Sequence, residues 1–363
     1  MPRIKFYKYT HLGNNFVLLD ELESELLDET QKRLFASIAT DLYHGIGADN
    51  FLCIESFSSE KAQSISIKSD NLDSEPDIIF RMFEPDGKEA YCCGNGLLCI
   101  ALHLDVYHGL KTAKILTEVP SDSPVVRIIK AGNERGFYEV KMGIPQKISS
   151  QFFTINCNAI EGSVLKTTER ISLRLETDRS PFLKSVSDVY IEGFLVYTGE
   201  PHLVIIKPEC KIHESATTLY NFIDFLLSSK GNSVKNLRCE RKEESSRLFQ
   251  QIGYLLNDER TSFFPKGINI NVARVENVDE AIISCRFYER GINKETLACG
   301  TGAVAIAETA VKLGMVNKKE ITLLPVRERW VHKNATMKTE LDDKGNWWLK
   351  GKPKLVYEGF IDF

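Results

Sequence analysis

Two stretches of this chain place a thiol where a helix begins. "CCGNGLLCIALHL" at 92–104 and "CGTGAVAIAETA" at 299–310 both read Cys-Gly-x-Gly, followed by a run of small and apolar residues in helical style. A helix N-terminus leaves backbone N–H groups unpaired and carries positive potential. Glycines beside it let a ligand come close to the backbone. A cysteine there is stabilised as the thiolate, and the same N–H groups can hold a carboxylate. Two such mouths facing one another would grip one carboxylate and present two sulfurs to opposite faces of its α-carbon. One thiolate could remove the α-proton while the other, still a thiol, returns one from the far side. That is racemisation by two bases, and its geometry needs no cofactor. The α-hydrogen is a weak acid, so such a site must exclude water and stabilise the carbanion electrostatically.

The approaches to the two turns are alike. "RMFEPDGKEAYCCGNG" begins at Arg81 and "RFYERGINKETLACGTG" at Arg286. Each gives Arg, a large apolar residue, an aromatic and Glu, then a polar turn and the Cys-Gly-x-Gly string. Glu84 lies nine positions before Cys93, and Glu289 ten before Cys299. A repeat separated by 206 residues is far too long for a solenoid period and implies two similar domains.

The elements that must position these residues are mostly strands, with one small-residue-rich helix in each half. The chain opens on strand "IKFYKYT", turn "HLGNN" and strand "FVLLD", then a helix around 29–43 with an acidic first turn. "HGIGADNFLCIE" gives a glycine turn and a strand; 56–76 reads as a solvated excursion before strand "IIFRMF". Strands follow near 114–117, 125–130 and 137–142, which makes "KMGIPQ" a domain junction. The second half shows strands at 188–198 and 203–207, a helix-like "ATTLYNFIDFLLSS", and strands "GININVARVE" and "AIISCRFYE". Residues 210–262 are charge-rich and read as a surface insertion, and the tail "NWWLKGKPKLVYEGFIDF" as a terminal hairpin.

Composition limits the function classes. A chain of 363 residues with 43% hydrophobic and 26% charged residues suits two soluble globular domains. A formal charge of −4 offers no footprint for nucleic acid or an anionic membrane. The N-terminus has no apolar core of signal-peptide length, and no stretch approaches a membrane span. Nine cysteines without a C-x-x-C pair point to a reducing, cytoplasmic setting. Cys53, Cys99, Cys157, Cys210, Cys239 and Cys285 read as small buried apolar groups. A redox disulfide involving adjacent Cys92 and Cys93 lacks the thioredoxin-like spacing. Neither glycine string fits a phosphate loop, and seven scattered histidines without H-x-x-x-H argue against a metal site.

With these residues in view, the chain resembles the diaminopimelate epimerase family, cofactor-independent two-cysteine amino-acid epimerases. The matching stretches are "HLGNNF" at 11–16, "HGIGADN" at 44–50, "FEPDGKEAYCCGNG" at 83–96, "GEPH" at 199–202, "FPKGININV" at 264–272 and "ERGINKETLACGTGA" at 289–303. The resemblance implies an α/β (α+β) fold of two pseudo-twofold-related domains. Each would be a curved mixed or antiparallel sheet wrapped around a central helix, with the site in the cleft. The domains would run 1–145, with strand 355–363 returning to it, and 146–354. Carried over, Cys93 and Cys299 are the acid/base thiols, and His202 and Glu289 help deprotonate them. The backbone at Gly94-Asn95 and Gly300-Thr301 would hold the reacting carboxylate. Asn14, Asn50, Asn269 and Arg290 match substrate-contacting positions. No cofactor, metal, nucleic acid or membrane is implied; the partner is an amino-acid substrate, and a homodimer is compatible.

Three departures bear on the substrate. Glu84 and Glu200 stand where the family usually has Asn, at positions that bind the far end of diaminopimelate, including its carboxylate. The loop "RGINKET" is one residue longer than usual and lacks a second glycine. Like charges 4 Å apart cost about 4 kcal/mol at an effective dielectric near 20, equivalent to roughly a thousandfold in affinity. The expected substrate is therefore a basic or diamino acid, with diaminopimelate itself as the alternative. A catalytically silent amino-acid-binding paralogue is the reading from another class, and the retained thiols, His202 and Glu289 argue against it.

Overall fold

The computed structural model describes residues 3–65, 72, 74–119, 124–154, 158–165, 168–175, 189–207, 212–214, 222–227, 235–258 and 263–363. The chain divides into two compact units, Met1–Gly143 with Trp348–Phe363, and Ile144–Trp347. Among the described residues no helix is long and apolar enough to cross a membrane.

The first unit contains β1 (Arg3–His11), β2 (Asn14–Glu21), α1 (Glu29–Thr40), β3 (Asn50–Ser56), α2 (Ser59–Ser64), β4 (Ile78–Phe83), β5 (Glu89–Ala90), α3 (Gly94–His108), β6 (Thr112–Thr117), β7 (Val125–Ala131) and β8 (Tyr138–Gly143). Its sheet runs β1, β2, β3, β4, β6, β7, β8, with the β2–β3 and β4–β6 pairs parallel and the others antiparallel. Helix α3 is apolar on all sides through its first turns, where Leu97, Leu98, Cys99, Ile100, Ala101 and Leu104 are all buried. A helix apolar all round must be enclosed, and α3 packs against β1 at one end of the sheet and β6, β7 and β8 at the other. The sheet thus curls around its helix. Helix α1 begins at a reciprocal cap, in which Gln31 N–H donates to the Asp28 carboxylate at 2.8 Å and Asp28 N–H to the Gln31 side-chain carbonyl at 2.9 Å.

The second unit repeats the plan. It contains β9 (Asn158–Leu165), β10 (Thr168–Leu175), β11 (Val189–Tyr197), β12 (Pro201–Lys207), β13 (Ile212–Glu214), α4 (Phe222–Leu227), α5 (Lys235–Asn257), β14 (Asn269–Asn277), β15 (Ile282–Glu289), β16 (Lys294–Thr296), α6 (Gly300–Lys312), β17 (Glu320–Pro325), α7 (Val326–Arg329) and β18 (Met337–Leu341). Strands β12 and β14 are parallel, as are β15 and β17. They correspond to β2–β3 and β4–β6 of the first unit. Helix α6, buried from Gly300 to Ala310, packs on β11, β12, β14 and β18. Two strands remain, β19 (Trp347–Gly351) and β20 (Lys354–Asp362).

Two sequence expectations change here. The tail is not a hairpin: β19 joins β8, while β20 lies antiparallel along β1, from Arg3↔Asp362 to Thr10↔Lys354. The chain returns to the first unit at Trp348. The stretch 210–262 is not a surface insertion where it is described. Parallel neighbours β12 and β14 need a crossover, and α4 and α5 supply it, as α1 does between β2 and β3. Ile223, Leu226, Leu227, Phe249, Ile252, Leu255 and Leu256 are buried. Gly253 of α5 sits on the Tyr288 ring so closely that a Cβ there would come within 2.2 Å. In the excursion at 56–76, α2 buries Ala62 beside Ile79, Leu116 and Val119, while 66–71 and 73 lie outside the described residues. Cys157 and Cys210 lie outside them too, as does the Cys239 side chain. Cys53, Cys99 and Cys285 are buried.

A buried ion pair precedes each Cys-Gly turn. Arg81 Nε and NH2 donate to Glu89 at 3.1 and 2.7 Å, across the β4–β5 hairpin. Arg286 Nε and NH2 donate to Glu295 at 2.6 Å each, across the β15–β16 hairpin. Both glutamates stand four residues before their cysteine. Removing one partner of such a pair leaves the other charge buried and unpaired, at a cost of about 3–5 kcal/mol. Replacing Glu295→Gln should therefore lower the unfolding free energy by about 3 kcal/mol in a urea titration. A loss below about 1 kcal/mol would show that the pair does not hold the turn.

Candidate active site

Each cysteine is the residue at which its helix starts. Cys93 caps α3 in an extended conformation, and its sulfur accepts the Gly96 N–H at 3.4 Å. Cys299 caps α6 in the same way, its sulfur accepting the Gly302 N–H at 3.4 Å. The Thr301 hydroxyl lies 3.3 Å from the Cys299 sulfur. An N-cap side chain normally offers oxygen to that amide; here sulfur takes the role in both units. The other cysteines of known placement differ. Burial pushes the Cys99 and Cys285 thiols up, and Cys53 likewise, which disfavours their thiolate forms.

In the first unit the turn is held by a chain of amides. His11 Nδ1 donates to the Asn95 carbonyl oxygen at 2.9 Å, and Asn95 Nδ2 donates to Asn14 at 2.5 Å. Asn14 and Asn95, expected as substrate contacts, are thus brought together beside Gly94 and Cys93. Burial lowers the His11 pKa to about 4, against the hydrogen bond to Asn95, so the ring is neutral. Asn50, at the start of β3, donates its amide to Glu84 at 3.0 Å. Glu84 opens the turn between β4 and β5, its N–H bonded to the Lys88 carbonyl at 2.8 Å.

In the second unit His202, Asn269 and Asn271 lie on the adjacent parallel strands β12 and β14, with His202 opposite Asn269. His202 is fully buried. Burial, with Arg290 as a second cause, lowers its pKa to about 3. Asn271 Nδ2 donates to His202 Nδ1 at 3.0 Å, which leaves the ring proton on Nε2. That Nε2 is buried and has no hydrogen-bond partner among the described residues. A buried donor left so costs about 1–3 kcal/mol. Asn271 also lies under the first turn of α6: a Cβ on Gly302 would come within 2.6 Å of its Oδ1. Glu289 accepts the Thr296 hydroxyl at 2.5 Å. Thr198 donates to the Thr301 carbonyl at 2.9 Å, fixing the α6 turn to the end of β11.

The longer loop is absorbed without loss of the hairpin, since Glu289 still pairs with Lys294 and Asn293 takes the left-handed conformation at φ 49°, which Asn tolerates. Arg290 N–H donates to the Asn269 side chain at 2.9 Å. Its guanidinium donates through Nε to Glu200 at 2.8 Å and approaches the same carboxylate through NH2 at 2.5 Å. The Phe152 ring lies 5.7 Å from the guanidinium carbon. Two of the three departures therefore meet: the substituted Glu200 is the partner of Arg290.

Sequence reasoning did not find His11, Thr198, Asn271 or the Glu89 and Glu295 anchors. The two glutamates carried a visible signal, four positions before each cysteine in both repeats. The other three act through partners distant in sequence, which a linear reading does not show.

The sequence profile of the family described as diaminopimelate epimerase matches residues 6–148. Diaminopimelate epimerase of Methanothrix thermoacetophila is 29% identical over 324 residues, covering 88% of this chain and 85% of that protein. The Archaeoglobus fulgidus enzyme of the same name is 26% identical over 99% of this chain and 96% of its own length. This chain is a relative of the diaminopimelate epimerases. With that relationship it is an isomerase of the pyridoxal-independent epimerase and racemase class. The fold extends further: a phenazine biosynthesis protein of the PhzF family from Bacillus anthracis superposes with a TM-score of 0.56 at 16% identity, over the full length of both chains. A hydroxyproline epimerase from Agrobacterium vitis gives 0.52 at 10% identity, over 99% of this chain and 92% of that one.

His11 and His202 are neutral when folded and protonate near pH 6.5 when unfolded. The unfolded chain thus binds more protons below pH 6.5, and stability falls as pH drops from there toward 4. Each ring contributes at most about 1.4 kcal/mol per pH unit in that window. Denaturation at pH 7, 5.5 and 4.5 should show this slope, and His202→Gln should reduce it by about one proton. An unchanged slope would mean that the His202 ring is charged in the fold.

Proposed function

We propose that this protein inverts the α-carbon of a basic or diamino acid, with Cys93 and Cys299 as the two thiols that exchange the α-proton from opposite faces. The helix N-termini at Gly94-Asn95 and Gly300-Thr301 bind the reacting carboxylate. His202 and Glu289 take part in setting the protonation of the sulfurs. No cofactor enters the scheme: one thiolate takes the α-proton, and the opposite thiol delivers its own to the planar carbanion.

The observation that carries the substrate assignment is the Arg290–Glu200 ion pair. A guanidinium at a substrate-contacting position would hold a distal carboxylate, but here a protein carboxylate already occupies it. Glu84 places a second carboxylate at the corresponding departure in the first unit, with the Asn50 amide donating to it. A distal ammonium or guanidinium fits that charge pattern, and a distal carboxylate meets repulsion. The relatives named above favour a second reading, diaminopimelate epimerase itself.

Incubation of candidate amino acids in D₂O, followed by mass and chiral analysis, separates the readings. The expected outcome is α-deuteration and loss of optical purity with lysine, ornithine or arginine, and slower reaction with diaminopimelate. Cys93→Ala and Cys299→Ala should each lower inversion by about a thousandfold. Glu200→Gln frees Arg290 and should raise kcat/KM for diaminopimelate relative to the basic substrate by about tenfold, equivalent to 1.4 kcal/mol. Exchange with diaminopimelate alone would decide for the second reading, and no exchange with any basic or diamino acid would dispose of both.

A further inference from the structure

The first unit holds a cluster that the thiol chemistry does not use. Asp20, near the end of β2, accepts on one oxygen, Oδ2, from two imidazoles of α3: His103 Nε2 at 2.9 Å and His108 Nε2 at 2.7 Å. The three atoms lie within 4.8 Å of one another. We propose that Asp20, His103 and His108 form a binding site for a divalent transition-metal ion of the zinc type, at the opposite end of α3 from Cys93.

Three features support this. The donor set, two imidazoles and one carboxylate, is one that zinc-type ions favour, with a water completing the tetrahedron. Tetrahedral ligation at about 2.0–2.1 Å places ligand atoms about 3.4 Å apart, so side-chain shifts of about an ångström suffice. The ligands are already held from behind. Tyr9 OH lies 2.8 Å from His103 Nδ1, and the Leu22 N–H donates to the other Asp20 oxygen, Oδ1, at 3.0 Å; outer contacts of this kind orient metal ligands. Finally, His108 is the last residue of α3, where the helix dipole favours positive charge.

The cations and aromatics around the cluster leave room for an added charge. Lys5, which acts on His103 from β1, is paired with Glu358 of β20 at 3.4 Å. Tyr7 and Tyr107 pack on the His103 ring at centroid distances of 4.5 and 4.8 Å. His103 is fully buried, while the side chains of His108 and Asp20 keep 21% and 15% exposure, which gives an ion its entry. Binding would replace two N–H···O contacts by two N–metal bonds and one O–metal bond. In each imidazole the Nε2 proton would move to Nδ1, which for His103 faces the Tyr9 hydroxyl oxygen as acceptor. No redox step is involved.

The test uses untagged, metal-free full-length protein with Cys93→Ala and Cys299→Ala, so that the thiols cannot bind the probe. Titration with Co(II) should give one ion per chain, with weak visible absorption and no thiolate band in the near ultraviolet. Zn(II) should compete for the same site. In that background Asp20→Asn or His108→Ala should weaken binding at least tenfold while the circular dichroism is unchanged. Should those variants misfold, amide NMR of the parent with Co(II) answers instead, since broadening should centre on Leu22 and His108. No uptake at 100 μM Co(II), undiminished affinity in both variants, or broadening centred elsewhere would overturn the proposal and leave a plain hydrogen-bonded network.

Discussion

The structure depends on two buried bidentate contacts, Arg81 with Glu89 and Arg286 with Glu295. A guanidinium and a carboxylate removed from water are tolerated only when each satisfies the other in good geometry. Each pair closes a hairpin whose outgoing strand leads, four residues later, into a helix N-terminus. The sulfur position is therefore set by a contact between β-strands as much as by the helix it caps. Arg286 extends this control: its NH1 also donates to the Leu226 carbonyl at 2.8 Å and to Ser245 Oγ at 3.0 Å. The same side chain thereby ties the crossover helices α4 and α5 to the strand that leads to Cys299.

From that anchor the rest of each unit follows. An apolar helix must be enclosed, so the sheet curls around it. Parallel pairs need crossovers, so α1 in one unit and α4 with α5 in the other cover the outer face. The arrangement β-strand, crossover, parallel strand, hairpin, Cys-capped helix occurs twice in the same order. Pairing registers agree across the repeat, since Phe16 stands opposite Asn50 and His202 opposite Asn269.

What could be read from the sequence is what local chemistry dictates. The thiol at a helix start, the acidic first turn of the helix near 29–43 and the strand–turn–strand opening of the chain depend on neighbours within a few residues. The repeat was legible because both copies kept Arg, Glu and Cys-Gly-x-Gly. The crossover at 222–257 was not. The charge-rich run "RCERKEESSR" at 238–247 masked the buried residues that follow it on α5, Leu248, Phe249, Ile252, Leu255 and Leu256. The destination of β20 was equally hidden, because a strand that pairs with the other end of the chain has no local turn to announce it. Contacts such as His202 with Asn271 or Arg290 with Glu200 span 69 and 90 positions, and only the fold brings them together.

The repeat also shows where the two halves diverged. By register, Phe16 occupies in the first unit the place of His202 in the second. Leu52 occupies that of Asn271: Leu52 packs against Gly96 of α3, as Asn271 does against Gly302 of α6. The seat of the sulfur is the same in both units, but an apolar pair supports one and a buried polar pair the other. Packing alone is better served by the apolar pair, which leaves no donor unsatisfied. The second unit instead retains a neutral imidazole whose Nε2 has no partner among the described residues, in a place where its own duplicate demonstrates that hydrocarbon fits. Stability does not account for that choice. On the proposed reading proton chemistry does, since a two-thiol site needs a group that moves protons to and from sulfur, and an imidazole kept uncharged by burial can do so without placing a fixed charge beside the substrate carboxylate.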